Sequence, residues 1–495
     1  LFKVSTFSTG AYSAEYGQAI SSALLLNTQD VAEETITGLS LMSVGASLSH
    51  TQAWEKTSLA ASFDYLNLGP TLAILPTNME FNQPFSGKTG QLIFRHKTSK
   101  TGIIKAFANI SQNSFGLFMP GFSDVRKQQL LSLKNNHLFT QLSYREILNN
   151  KWSLFMGGGF TKNYDKIQSG FRLQEEENAA QGKVRLSYHL SDHVVIKFGG
   201  EWINSLWEES FTDANDQVFP TELKENYSAG FAESDIYFTR KWVARIGLRA
   251  EHSEMLNQWN LAPRLSLAYQ LNDHSQLSFA AGQFYQTPEN PLLRYSTAIG
   301  FEQADHFILN YQHIKNRRTF RVEAYYKNYQ NLVRFDAQQP WITDNSGSGF
   351  ASGIDLFYRD KKTIKNGDFW ISYAYLNTKR NYRDFPKTAT PHFASKHNAT
   401  LVYKQWLSKL NSSLGMTYAF SSPRPYFNPN HEQFHGDRTP AFHDLSVNWS
   451  YITRLFGHFT VLHVSASNIL GLDQTFGYRY SNTANEYGFH DRVAI

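Results

Sequence analysis

Five residues offer the most explicit chemistry in the chain: His431, Glu432, Gln433, Phe434 and His435. They spell HExxH. On a helix, two histidines four apart share a face and hold a zinc ion, while the glutamate activates a zinc-bound water. The neighbourhood argues against that helix. The motif sits in RPYFNPNHEQFHGDRTP, where Pro425, Pro429, Pro440 and Gly436 break helical periodicity. No third ligand accompanies it. The expectation is therefore a surface loop that touches other loops or a ligand, with at most an adventitious metal contact through the two imidazoles.

Other chemistries are thin. Cysteine is absent, which removes disulfides, Cys-ligated zinc, Fe–S clusters and thiol nucleophiles. Histidine occurs 17 times, without metal-ligand spacing outside the motif. His137, His306 and His463 fall within strand-like runs and read as polar wall groups. No GxSxG, P-loop or clustered Asp pattern occurs. Gly157-Gly158-Gly159 lies inside a strand-like run and reads as a bend or bulge. The net charge of +5 comes from 47 basic and 42 acidic residues that are dispersed along the chain, so no nucleic-acid partner is expected. No catalytic residue, resident metal or cofactor is expected.

The elements that must carry these residues are strands. Leu265, Leu267, Tyr269 and Leu271 alternate with Arg264, Ser266, Ala268 and Gln270. After Asn272-Asp273-His274, Leu277, Phe279 and Ala281 alternate with Ser278, Ala280 and Gly282. A period of two on both sides of a turn-forming triplet predicts an antiparallel hairpin with one greasy face. Phe320, Val322, Ala324 and Tyr326 against Arg321, Glu323, Tyr325 and Lys327 repeat the pattern, as do Val194, Ile196, Phe198 and Trp202 against Lys197 and Glu201.

Twenty such runs follow from 35–50 to 457–470. Short links near 98–102, 148–151, 191–193, 272–274, 315–317, 407–410 and 454–456 alternate with long ones at 116–134, 167–176, 211–222, 287–300, 335–348, 382–392 and 423–438. An up-and-down meander then gathers every long loop at one end, as in outer-membrane barrels. No run of about 18 apolar residues predicts a transmembrane helix. The charged face is too polar for a packed core and suits a wet or plugged lumen, so the greasy face is expected to meet lipid. Trp152, Trp202, Trp242, Trp370, Trp406 and Trp449 read as interface girdles. A missed strand at Thr71–Leu75 would make 21, and a closing strand beyond Ile495 would make 22, the size of plugged transporters. The competing reading is a large soluble β-protein whose apolar faces pack together.

The long loops mix Phe, Tyr, Trp, Pro and Arg, a composition suited to binding. Tyr285, Gln286, Tyr295, Trp341 and Tyr426 are the candidate substrate-lining residues. The plain alternative is that these loops pack only on one another.

Residues 1–33 differ from the rest. AEYGQAISSALLLNTQD, with its Ala14-Glu15-Tyr16-Gly17 step and the strand Ala23 to Thr28, resembles the end of the plug domain in TonB-dependent receptors. SGKTGQLIFRHKTSKTGIIKAFANIS, APRLSLAYQLNDHSQLSFAAGQFYQTP, FRVEAYYKNYQNLVRF and VSASNILGLDQTFGYRYS are similar, in that order, to barrel strands of a Bacteroidetes-type subgroup.

The resemblance implies an all-β, transmembrane, antiparallel up-and-down barrel at 34–495, with the C-terminal remnant of a plug at 1–33. It implies active import of an extracellular substrate into the periplasm, energised by TonB and the inner-membrane proton gradient. The implied surroundings are outer-membrane lipid and lipopolysaccharide, with a surface lipoprotein as an additional partner. The TonB box, most of the plug and the closing strand are expected to lie outside this sequence. Two other readings stand beside it: a passive porin or surface-binding barrel, and an outer-membrane metalloenzyme built on the His431/His435 loop.

Overall fold

The computed structural model describes residues 2–75, 77, 79–121, 124–296, 298–336, 338–339, 341–482, 484 and 490–494. Among the described residues, twenty-one strands run antiparallel to their neighbours in chain order and close into a barrel. By contacts the chain divides into two compact units. The first holds Leu1–Ile236, Arg245–Pro263 and Tyr285–Phe301; the second holds Tyr237–Ala244, Arg264–Phe284 and Glu302–Ile495.

The first unit begins with a two-stranded sheet, Phe2–Ser8 against Ala23–Thr28, apart from the wall. Its wall strands are Ile36–Met42, Gly45–Ala53, Thr57–Asn67, Glu80–Lys97, Ile103–Pro120, Gln128–Ile147 and Trp152–Gln168. Arg172–Ser191, Val194–Thr212 and Val218–Tyr237 follow. Trp242–Ser253, Gln258–Asn272 and Ser275–Gln286 contribute to both units. The second unit continues with Glu302–Lys315, Arg318–Phe335, Thr343–Asp360 and Gly367–Asn381. It ends with His397–Leu407, Ser412–Ser421, Phe442–Leu455 and His458–Ala466.

The alternating pattern does what it predicts. Leu267 pairs with Phe279 and Tyr269 with Leu277 on one face, and Arg264 pairs with Gly282 on the other. Leu277 and Phe279 are exposed on the outer face, where lipid replaces water, while Arg264 is buried with its guanidinium 4.3 Å from the Phe284 ring. Phe198 and Trp202 are likewise exposed outward, and Lys197 and Glu201 turn inward to ion pairs. Two-residue turns close several hairpins at one end. Asn316 and Arg317 both have positive φ, 51° and 62°, the backbone that matches strand twist.

Four expectations are corrected. The run 35–50 is two strands, broken at Ser43–Val44, and this supplies the twenty-first strand. Thr71–Leu75 contributes no strand: Gly69–Leu72 is a helical turn opened by Pro70. Four of the long links are short, at 121–127, 169–171, 213–217 and 336–342. Their strands continue past the expected ends as hairpins, and at Gln174–Glu176 polar residues occupy both faces, so composition there reads as loop. The Gly157-Gly158-Gly159 run is no bulge, because its ladders to Ser143–Gln141 and Lys183–Gln181 are unbroken.

The tryptophans divide. Trp202, Trp242 and Trp449 are exposed on the outer face. Trp370 lies opposite the exposed Ile371 and turns inward, between Arg359 at 5.1 Å and Lys404 at 5.3 Å.

Candidate functional site

The HExxH residues lie in the second unit, in bends between the short strands Pro425–Tyr426 and Asp437–Arg438. No helix forms, and the two imidazoles serve different neighbours. His431 Nδ1 is 2.9 Å from the Asp437 carboxylate, which also accepts from Asn428 Nδ2 at 2.5 Å. These bonds from Asn428 and His431 hold the Asp437 carboxyl below the usual carboxylate range. His435 donates from Nδ1 to the Thr390 carbonyl at 2.8 Å and stacks on Phe434 at 4.1 Å. Phe385 meets both rings edge-on, and Phe427 packs on Phe434. Burial pushes the His435 imidazole below its ordinary value of 6.5. Glu432 is exposed. Among the described residues no group of three His, Asp or Glu side chains is placed to hold a metal ion. The motif is an aromatic loop core with a histidine in it.

The five candidate lining residues do not share one environment. In the first unit, Tyr285 is half-buried against Phe301, and Tyr295 is 49% exposed on its loop beside Arg294. Gln286 reaches the N-terminal segment: its Oε1 accepts from the Ile20 amide at 3.4 Å. Next to it, Thr287 donates from N and Oγ1 to Gln18 Oε1 at 3.0 and 2.9 Å. In the second unit, Trp341 is 61% exposed. Tyr426 is buried, 4.7 Å from the Tyr478 ring, with its hydroxyl accepting from Arg492. Burial and the neighbouring Tyr480 push its phenol up to about 12.

The densest polar arrangement was not legible as a motif. Residues Ser13–Gly17 lie against the inner face of the first unit. Arg249 is fully buried there. Its Nε donates to Glu251 at 2.6 Å, and Nη2 donates to Glu201 at 2.6 Å and to the Tyr227 hydroxyl at 2.9 Å. Nη1 faces the Glu15 carbonyl at 3.3 Å and the Ala14 carbonyl at 3.5 Å. Arg185 donates to the Glu15 carboxylate at 2.6 Å, and Lys183 to the Glu15 carbonyl at 3.0 Å. The Ala14 amide donates to Glu233 Oε2 at 3.0 Å. Lys183 also sits 4.6 Å from the Tyr16 ring, whose phenol burial pushes up to about 12.

Small residues permit this approach. Ala14 is fully buried, and a Cβ on Gly247 would stand 2.9 Å from its own. A Cβ on Gly17 would collide with the Glu251 and Arg249 side chains. The Ala14-Glu15-Tyr16-Gly17 step therefore has a physical requirement at each end. The missed partners Glu201, Tyr227, Arg249 and Glu251 lie on three different strands. Only their inward parity marks them in the sequence, and the register that brings them together does not.

A cavity of about 360 Å³ lies between this segment and the wall, bounded by Glu15, Tyr16, Leu24–Thr28, Lys105, Arg145 and Lys183, with Gly157 and Gly158 leaving room. The arrangement binds a segment of chain through charge.

Comparison with known proteins agrees with this geometry. The family model described as TonB dependent receptor-like, beta-barrel matches residues 48–469. No curated protein matches the sequence. Among solved structures, the outer membrane transporter YddB from Escherichia coli is similar with a TM-score of 0.73 at 10% identity, covering 99% of this chain and 83% of that one. The FrpB iron transporter from Neisseria meningitidis, F5-1 variant, gives 0.74 at 10% identity over 95% of this chain and 84% of its own. The ferric yersiniabactin uptake receptor FyuA from Yersinia pestis gives 0.70 at 10% identity over 95% and 79%. At such identities the likeness is one of fold.

Proposed function

This chain belongs to the TonB-dependent receptor-like β-barrel family of the outer membrane, and from that membership we propose how it moves its cargo. It binds an extracellular solute at its loops. It then admits the solute to the periplasm when TonB, driven by the inner-membrane proton gradient, displaces residues 1–33 from the wall. That segment acts as the end of a plug domain, and the barrel proper begins near residue 34.

One observation carries the reading: Ser13–Gly17 is held on the inner face by ion pairs and close contacts that a fixed structural filler would not need. Buried charge pairs are poor net stabilisers but costly to break singly, which suits an attachment that is either wholly made or wholly released. The loop side supports it too. Gln286 and Thr287, at the foot of the 287–301 connection, hydrogen-bond to Ile20 and Gln18. A solute contact at Tyr285, next to Gln286 in the chain, thereby lies one residue from a bond to the segment. Trp341 offers further aromatic contact in the second unit, where Tyr426 is buried. The iron and ferric-siderophore cargo of the structural relatives belongs to one class this architecture carries; peptides, glycans and other metal complexes are others. Lipopolysaccharide surrounds the outer face, and a surface lipoprotein is a further partner.

Planar-bilayer recording on the full-length protein tests the reading without knowledge of the cargo. The resting protein is expected to pass no steady ion current, and disruption of the segment's attachment by Arg249→Ala is expected to give intermittent openings. A constant open current from the intact protein would favour the passive porin instead.

A further inference from the structure

Beside the segment Leu24–Glu34, two basic side chains of the first unit's wall share one carboxylate, and a third stands next to them. Lys105 Nζ is 3.0 Å from Asp30 Oδ1, and Arg145 Nη2 is 2.8 Å from the same oxygen. Arg95 stands directly opposite Lys105 on the neighbouring strand. Like charges directly across a ladder are unfavourable unless an anion lies between them. Arg95 is 3% exposed, and its Nε has no hydrogen-bond partner among the described residues. A buried guanidinium with an unused donor is expensive, so the site is short of acceptor.

The location gives this shortage a use. Lys105 and Arg145 border the 360 Å³ cavity on one side. Arg95 and Arg145 border a second cavity of about 1190 Å³ on the other, next to the turn ends of the wall at Trp54 and Lys100. The second cavity as a whole is balanced: Lys97 and Lys100 face Glu33, Glu34 and Glu55 there. The cationic excess is confined to the junction between the cavities, and the carboxylate filling it comes from the N-terminal segment, not from the wall.

We propose that Arg95, Lys105 and Arg145 form an oxyanion-binding station between the two cavities, which Asp30 occupies in the resting protein. The ligand is a carboxylate or phosphate group of the imported solute. The inference rests on the reading that residues 1–33 move. When the segment leaves, Asp30 leaves with it, and three donors that suit an oxyanion face the opened route. Asp30 then acts as a stand-in that keeps the station from being filled too early.

The test is calorimetric titration of the full-length protein, in lipid-free detergent, with inorganic pyrophosphate. Heat-dependent gel migration confirms that each variant is folded. Asp30→Asn is expected to raise pyrophosphate affinity at least tenfold over the unsubstituted protein. Adding Lys105→Gln and Arg145→Gln is expected to cancel the gain. No gain in Asp30→Asn, or a gain that survives the triple substitution, would overturn the station. So would binding that appears only after lipopolysaccharide is added, which would assign the site to a lipid headgroup. Because the titration involves no transport, a positive result alongside a constant open bilayer current would reject gated import while the station stood. A negative result beside a silent bilayer would do the reverse.

Discussion

The His431–His435 loop and the Ala14–Gly17 segment use ionisable side chains in opposite ways. The loop has the spacing of a catalytic motif in five consecutive residues, but its backbone bends, so His431 turns to Asp437 and His435 packs among phenylalanines. The segment has no recognisable spacing, yet Glu15 meets Arg185 and Arg249 gathers Glu201, Glu251 and Tyr227 from separate strands. A motif acts only if the element beneath it holds the geometry. In a large sheet, register rather than sequence proximity decides which charges meet.

The contrast can be broken at its strong side first. Arg249→Ala removes a donor from two carboxylates and two backbone carbonyls, leaving Lys183 alone on Glu201 and the Glu15 carbonyl, and should cost the segment's attachment about 3–5 kcal/mol. Limited trypsin digestion in rising urea should then cut within residues 1–33 well before the wall opens. Unchanged protection would mean that the network is incidental. Gly17→Ala is next, at about 1–3 kcal/mol, because its methyl must displace the Glu251 or Arg249 side chain. The same digestion should show an intermediate shift.

On the loop side the effects are smaller. His435 has its pKa lowered by burial, so the unfolded loop binds the proton more readily than the packed one. Packing is therefore full above the ordinary value of 6.5 and weakens as pH falls below it. Near-ultraviolet circular dichroism of the Phe385, Phe427 and Phe434 cluster should fade on acidification, and should not in His435→Phe. Smallest of all, Glu432→Ala should change stability by under about 0.5 kcal/mol, since the side chain is exposed. Added zinc should leave its melting temperature where it leaves that of the parent. A zinc-dependent shift lost in the variant would revive the metal reading.

Much of the wall was legible because lipid enforces a strict period of two. Phe320 and Tyr326 face out while Lys327 and Tyr329 are buried on the other face, as alternation alone requires. Legibility failed where that constraint lapses. Beyond the bilayer both faces of a hairpin are wet, so Glu175 and Glu176 read as loop although they continue the strand Arg172–Ser191. At Ser43–Val44 a two-residue turn interrupts nothing in the hydropathy pattern, and two strands looked like one. The site was less legible than the fold. Aromatic loop residues such as Tyr426 and Trp341 share a composition, yet one is buried in a stack and the other stands exposed. Composition reports the type of surface a residue can make, while neighbours from distant sequence decide whether it makes one.

The small sheet of Phe2–Ser8 and Ala23–Thr28 has a mechanical consequence. Phe2 pairs with Thr28 and Ser8 with Ala23, so the strand's first residue lies at the same end as Asp30. Lys105 and Arg145 tether that end to the wall. A pull on the chain from its N-terminal side therefore loads the ladder by unzipping, one hydrogen bond at a time, and not by shear across all of them together. The peeling front travels from Phe2 toward Ser8 at low force and then meets the Ser13–Gly17 knot, where several charge pairs must fail at once. Extension under load should thus come in two stages, a soft run followed by a single high-force event.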